Sequence, residues 1–463
     1  MDIVNNLVNI MNEYLWSYIL IVLLIGSGLY FSFKTRFVQF RHFKEMWKLL
    51  LSKSDKNENS ISSFQAFCIS TASRVGTGNI AGVAMAIAIG GPGAVFWMWI
   101  VALLGSSTSF IESTLAQIYK VEDGEGGFKG GPAYYMEKGL KKKWMGIAFS
   151  ILLILSFGLI TSGVQSNTIS ESFSSVFGIS KLTLGIVISI LTAISIFGGT
   201  KKIAKILEYM VPFFAIAYIL ITLFVIGKNI TLMPSVFKTI IVSAFGVKEM
   251  ATGALIGAIM QGVKRGLFSN EAGMGSAPNA SATADVKHPA SQGLVQSLGV
   301  FVDTIIICSS TAFLVLVSGS YTNTSLEGIQ ITEHALSSQI GSFGAIFISI
   351  CIFLFAFSSI ISNYCYAIGN IEFITTNKRI KFMYNILFIA AILLSSLAQV
   401  SLIWNLSDLF MGLMAILNIV TIIALRNDAF EALHDYESQK RNNIEKPIYT
   451  KKIGVWGKKK INA

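Results

Sequence analysis

Eleven long apolar stretches, at roughly 15–33, 64–89, 92–119, 145–170, 182–200, 203–227, 250–284, 291–317, 343–368, 380–398 and 402–425, take up most of the 463 residues. A helix needs about 20 such residues to cross a bilayer. Inside lipid each unpaired backbone group costs several kcal/mol, so only helices and closed barrels span it; long apolar runs without strict alternation are helices. With 53% apolar and only 13% charged residues there is too little polar side chain to coat a water-soluble globule, and little chain is left over for a soluble domain. The chain therefore reads as an all-α polytopic membrane protein of about eleven transmembrane helices.

The formal charge of +11 needs a location, which in a membrane protein is the cytoplasmic loops. The stretch after the first span carries Lys34, Arg36, Arg41, Lys44, Lys48, Lys53 and Lys56, and nothing basic precedes it. With the amino terminus outside, only Lys181, Lys228, Lys238 and Lys248 fall in outer loops, and Arg74, Lys264 and Arg265 lie within spans. The other basic residues face the cytoplasm, as the positive-inside rule asks, and nucleic acid drops out as a partner. Met1 to Glu13 lacks the basic region of a signal peptide, so the first span is expected to be a retained anchor. Phe37, Phe40, Phe43 and Trp47 recur at helical spacing among basic residues, as in a helix lying on the inner leaflet. Cys68, Cys308, Cys351 and Cys365 sit in apolar spans with no pairing spacing and read as small packing residues; His42, His288, His334 and His434 are scattered in loops and tails and build no zinc site.

Two spans break the pattern. The second reads S-T-A-S-R-V-G-T-G-N-I-A-G-V, with Gly76, Gly78 and Gly82 at mid-depth; the seventh reads V-K-R-G-L-F-S-N-E-A-G-M-G-S-A-P. At one constant offset Arg74 matches Arg265, Asn79 matches Asn270, Ala81 matches Ala272 and Gly82 matches Gly273. Five spans apart, the two segments cross in opposite directions, as inverted-topology repeats require. If the helix unwinds at Gly76 to Gly78, the next half-helix offers unpaired N–H groups and a positive dipole end, and the preceding half loses partners for its carbonyls. An amino acid zwitterion has both complementary ends, and a sodium ion takes carbonyls with hydroxyls from a neighbouring helix. Gly76, Thr77, Gly78 and Asn79 at one break, and Phe268, Ser269 and Asn270 at the other, are the candidate substrate-binding residues. Gly78-x-x-x-Gly82 alone is equally a helix-packing motif, and Gly76-x-Gly78-x-x-Ala81 fits a loose dinucleotide fingerprint but lies in the wrong context; the repeat in the seventh span favours a site.

Other polar groups fall within spans. Ser358 and Ser359 offer adjacent hydroxyls, against the plainer reading that they bond back to their own helix. Gln165, Ser166 and Asn167 form a run able to reach a substrate. Glu112 and Asp303 must pair or face water, with Arg74, Arg265 and Glu271 as candidate partners in gating ion pairs.

The strings V-G-T-G-N-I-A-G, G-G-P-A-Y-Y-M-E-K-G-L (Gly130 to Leu140) and G-L-F-S-N-E-A-G-M-G-S-A-P (Gly266 to Pro278) resemble the alanine or glycine:cation symporter family over about Phe31 to Ala424. The resemblance implies a leucine-transporter-like fold: residues 1–63 with one extra span and an amphipathic stretch, a five-helix repeat over 64–227, its inverted copy over 228–425, and a basic cytoplasmic tail over 426–463. It implies a sodium site from Ala72, Val75, Phe355, Ser358 and Ser359, a substrate contact at Gln165, and sodium- or proton-coupled uptake of small neutral amino acids without an enzymatic cofactor. Where many members of that family read G-W, this chain reads Ser362-Asn363, which enlarges and polarises the expected pocket, so glutamine or serine joins alanine and glycine as a credible substrate.

The sequence thus predicts a sodium-coupled amino acid symporter of a prokaryotic cytoplasmic membrane, amino terminus outside and carboxyl terminus inside. Proton coupling on the same fold, or a passive channel, is the alternative. A membrane enzyme is disfavoured by the lack of H-E-x-x-H, G-x-S-x-G or a His–carboxylate pair within a span.

Overall fold

The computed structural model describes residues 2–52, 60–124, 126–245, 254–451 and 453–457. Lys53, Lys56 and Lys248, and the first residues of the seventh span at 250–253, lie outside them. Among the described residues the regular structure is helical apart from one hairpin, β1 (Val121–Glu122) with β2 (Phe128–Lys129).

Among the described residues each apolar stretch is mainly helical. The helices are α1 (Asn6–Lys34), α4 and α5 (Ser63–Arg74 and Gly78–Gly90), α6 (Gly93–Ile118), α8 (Lys143–Phe177), α9 (Lys181–Ile196), α10 (Gly199–Lys228), α12 and α13 (Ala254–Asn270 and Ala277–Thr283), α14 (Pro289–Ser318), α16 (Phe343–Ile374), α17 (Lys378–Ser396) and α18 (Val400–Ala424). Among the described residues, eight of these helices are long and apolar enough to cross a membrane, and the α4/α5 pair, bent by 49°, makes a ninth candidate. α9 is short at 16 residues, and α12 carries Lys264 and Arg265, so length and composition alone do not qualify them.

Between α1 and α4, two short helices, α2 (Val38–Arg41) and α3 (Phe43–Leu51), follow a sharp turn in which Arg36 and Phe37 both adopt positive φ. Phe43 turns inward against Phe301 (5.0 Å between rings) and Met46 and Leu50 are buried, whereas Phe37 and Phe40 are exposed. Four helices occupy stretches read as connections or tail: α7 (Pro132–Lys138), α11 (Ile230–Phe245), α15 (Ile329–Ile340) and α19 (Arg426–Arg441). The last is polar on one side but buries Ala429, Ala432, Leu433 and Tyr436 on the other, a helical stripe present in the sequence.

Packing sorts the helices into reciprocal pairs. α6 lies against α14, α8 against α16, and α9 against α17. α6 also contacts α12 as α14 contacts α4; α8 contacts α17 as α16 contacts α9; and α10 contacts α4 and α16 as α18 contacts α12 and α8. The broken helices α4/α5 and α12/α13 meet near the centre of this arrangement, α5 against α12 and α4 against both α12 and α13.

Candidate functional site

α4 is started by a capping box, Ser62 with Gln65; Val75 N–H still donates to Thr71 O, and the helix stops because the next two amides go to side chains. Gly76 N–H donates to Asn79 Oδ1 and Thr77 N–H to Gln165 Oε1, each at 3.0 Å. In an unbroken helix those amides would bond to Ala72 and Ser73 carbonyls. Ala72 O instead lies 2.7 Å from Ser359 Oγ on α16, which also lies 3.0 Å from Phe355 O and 3.4 Å from Val75 O. One hydroxyl hydrogen serves one of these carbonyls, so four oxygens converge with a surplus of lone pairs, the donor set of a hard monovalent cation. Ser358 does not join them: its hydroxyl donates to Phe355 O at 2.8 Å, the back-bonding expected of serine in a helix. Gly76 separates this cluster from Gln165 without room for a side chain; a Cβ there would sit 2.5 Å from Ser359 Oγ and 2.7 Å from Gln165 Oε1.

The two breaks do not coincide in the shared string. The first lies between Arg74 and Asn79, whereas α12 runs unbroken through Lys264, Arg265 and Asn270 and opens only at Glu271–Ser276. The cause is local: Glu271, Gly273 and Gly275 adopt positive φ, and Asn270 Oδ1 accepts from Ala272 N–H at 3.0 Å as a side-chain cap. Asp303 of α14 ties the two spans together. Its Oδ1 accepts from Asn79 Nδ2 at 2.6 Å; its Oδ2 accepts from Ser269 at 2.7 Å and Thr304 at 2.9 Å. Cys308 Sγ approaches Ser269 Oγ at 3.0 Å and Asn79 Nδ2 at 3.3 Å, so this cysteine belongs to the site and not only to the packing. Phe268 lies against Gly78, where a Cβ would meet its ring at 2.8 Å.

Gly76, Thr77, Gly78, Asn79, Gln165, Phe268 and Ser269 thus form one neighbourhood. Asn270 turns away to Thr304 (3.3 Å), and Asn363 joins a separate knot in which the Ser73 hydroxyl is shared between Glu271 Oε1 (2.5 Å) and Asn363 Oδ1 (2.8 Å). Glu271 Oε2 accepts from Ser276 at 2.6 Å.

The candidate ion pairs resolve unevenly. Arg265 binds Asp408 of α18 through both guanidinium nitrogens at 3.1 and 3.2 Å, with Lys264 on the same carboxylate at 2.6 Å. Arg265 lies over the Trp404 ring at 4.6 Å, and Trp404 stacks on Phe268 at 4.7 Å. Arg74 is buried, with long contacts of 3.4 Å to Gln296 O and Ser109 Oγ, and among the described residues no carboxylate pairs with it. Glu112 accepts from the amides of Gly273 (3.1 Å) and Gly275 (3.2 Å) and from Asn418 Nδ2 (2.7 Å). Contacts between elements flank the centre on two sides. At one, Trp404 and Ala81 floor a cavity of about 270 Å³ that also touches Asn167, Glu171 and the Ser325–Gln330 stretch. At the other, Ile61 pairs with Ala284 as an isolated parallel bridge, and Gln117 and Lys120 donate to the Ala284 carbonyl at 3.0 and 2.7 Å. The described residues hold no cluster of three His, Cys, Asp or Glu able to bind a metal.

Residues 1–451 match the sodium:alanine symporter family. The chain belongs to that family. It is 52% identical over 453 residues to the probable sodium/glutamine symporter GlnT of Bacillus subtilis, covering 98% of this chain and 94% of the relative. It is 50% identical to the amino-acid carrier protein AlsT of the same organism (97% and 95% covered), and 39% identical to the sodium/alanine symporter AgcS of Methanococcus maripaludis (92% and 95% covered). It is therefore a transport protein and not an enzyme, in a family whose co-transported ion is sodium.

Several residues of the symporter's centre escaped the sequence reading. Asp408 and Asn418 are polar groups within a span by the same criterion that singled out Glu112 and Asp303, so a uniform scan would have found them. Trp404 and Cys308 carry no such signal; only their neighbours make them part of the centre.

Proposed function

We propose that this protein carries small neutral amino acids, glutamine and alanine foremost, into a prokaryotic cell across its cytoplasmic membrane together with sodium, by alternating access on a leucine-transporter-like fold of two inverted five-helix repeats. The observation that carries the reading is the convergence of Ala72 O, Val75 O, Phe355 O and Ser359 Oγ beside a break whose amides are held by Asn79 and Gln165. Sodium at that point ties α4 to α16, and the amino acid then sits at the first break, against Gln165, Phe268 and Ser269. The reciprocal packing of α6 with α14, α8 with α16 and α9 with α17 supports the repeats. With the amino terminus outside, the Arg265–Asp408 pair and the Trp404–Phe268 stack form the outer closure and the Ile61–Ala284 bridge the inner one, so the arrangement is the occluded stage between two open ones. The membrane potential adds about 2.3 kcal/mol per sodium charge per 100 mV.

Glutamine is favoured by the 52% identity to the probable sodium/glutamine symporter GlnT; Asn363 itself lies in the Ser73–Glu271 knot, apart from the neighbourhood that receives the amino acid, so Asn363→Trp should leave the competition profile for alanine, glycine and glutamine unchanged. In proteoliposomes, labelled glutamine and alanine should accumulate in a saturable way under an inward sodium gradient. Uptake driven by a proton gradient alone would move the coupling to protons; uptake indifferent to both gradients would overturn the symport reading.

A further inference from the structure

The carboxylate of Glu112 fills the second break from the protein's own side. Its two oxygens accept from Gly273 and Gly275, amides presented by two glycines at φ of 89° and 82°, and the Asn418 amide adds a third donor at 2.7 Å. Successive amides in such a conformation make a concave anion site, and an internal carboxylate satisfies it. Asn418 closes the loop by also donating to Gly273 O at 2.9 Å, and its own Oδ1 accepts from the Tyr135 hydroxyl.

Tyr135 belongs to the Gly130–Leu140 string, for which the transport centre so far has no use. Its short helix α7 is anchored in the same place: a Cβ on Gly275 would meet Pro132 Cγ at 2.8 Å and both Asn418 Cγ and Phe149 Cζ at 2.9 Å. Gly131, at φ of 117°, presses against Asn279 of α13 in the same way, with a Cβ there only 2.6 Å from Asn279 Oδ1. Four elements (α6, α7, α18 and the break) thus converge on one carboxylate buried away from water.

We infer that Glu112, with Asn418 and Tyr135 behind it, is a positioning residue that holds the second helix break unwound and occupies its amides, so that the amino acid's carboxylate is received at the first break alone. The inference rests on the amino acid transport reading. The two breaks differ in what blocks them. At the first, Gly76 and Thr77 amides meet neutral side-chain amides of Asn79 and Gln165, which a substrate carboxylate can displace. At the second, both oxygens of one buried carboxyl group are held by three donors from two elements, so a substrate carboxylate would have to displace all three contacts together.

Glu112→Gln keeps the shape and replaces one acceptor oxygen by an NH2 that cannot accept from an amide. Hydrogen exchange of the full-length protein in nanodiscs, without amino acid, should show the peptide covering 267–280 exchanging about ten-fold faster in Glu112→Gln, the scale of leaving one buried amide donor unsatisfied. Tyr135→Phe, which removes only the outer hydroxyl, should move the same peptide less and in the same direction. In proteoliposomes Glu112→Gln should raise the KM for glutamine by about ten-fold, while the sodium concentration for half-maximal uptake stays unchanged, because the ion cluster lies on α4 and α16. A merely structural role would lower the amount of active protein and leave KM alone. Unchanged exchange at 267–280 in both variants overturns the inference. So does a KM that stays at the wild-type value, or a sodium requirement that shifts as much as KM. If the wild type takes up no amino acid, the transport reading fails, and the exchange comparison still decides whether Glu112 holds the break.

Discussion

Ser358 and Ser359 stand side by side on α16, and the structure gives them different work. Ser359 Oγ reaches across to Ala72 O and Val75 O on the first broken helix; Ser358 Oγ reaches only Phe355 O of its own helix. Replacing Ser359 by Ala removes one oxygen from a cluster of four and leaves the Ala72 carbonyl buried without its donor. The loss of one such neutral polar contact is worth about 0.5–1.5 kcal/mol, which raises the sodium concentration for half-maximal uptake about 2- to 12-fold. Ser358→Ala should change it by less than about two-fold, since only a bond within the helix is lost. The assay is initial-rate glutamine uptake in proteoliposomes against a series of sodium concentrations at fixed ionic strength, for each variant and the double variant. The double variant should match Ser359→Ala alone. Equal shifts for the two single variants, or no shift for Ser359→Ala, would refute the assignment of the ion to this cluster.

Gly76→Ala inserts a methyl 2.5 Å from Ser359 Oγ and 2.7 Å from Gln165 Oε1; overpacking of that kind costs about 1–3 kcal/mol, and both the sodium requirement and the KM should rise together. Asp408→Asn leaves buried Arg265 and half-buried Lys264 without their carboxylate, a loss on the order of 3–5 kcal/mol, so the melting temperature in detergent should fall by several degrees while Asp408→Glu retains most of it. A melting temperature unaltered by Asp408→Asn would show that the pair does not hold the closure. His288, outside the spans, sits between the rings of Tyr436 and Tyr449 with Nε2 3.1 Å from Asp435; burial pushes its pKa down against the pull of that carboxylate. A histidine with a lowered folded pKa leaves the unfolded chain binding more protons, so stability should fall as pH drops from about 7 to about 5, and His288→Asn should flatten that slope in thermal melts.

The spans were legible because lipid enforces a single rule, that every backbone group be paired within its own segment, and a long apolar run satisfies it only as a helix. Gly76 and Gly78 marked the first break for the same reason, since glycines at mid-depth weaken the helix where it ends. The second break was misplaced by the matched string. Which residues unwind was decided by φ at Glu271, Gly273 and Gly275 and by the anchoring of Glu112, none of which follows from local spacing. The connections hold helices that the spans left open: α11 is apolar but short, and α15 and α19 draw their stability from the surfaces they cover.

By itself the sequence determined that this chain is a helical membrane protein, that two of its helices are interrupted, and that the polar groups inside the bilayer gather around those interruptions, because each of these follows from the cost of exposing polar groups to lipid. Only the tertiary structure decided which polar group meets which: Arg265 with Asp408 and not with Glu112, Ser359 and not Ser358 with Ala72, Glu112 with the glycine amides. A buried charge accepts any partner of suitable sign or dipole, so its choice is fixed by which helices pack side by side, and that is a property of the whole fold.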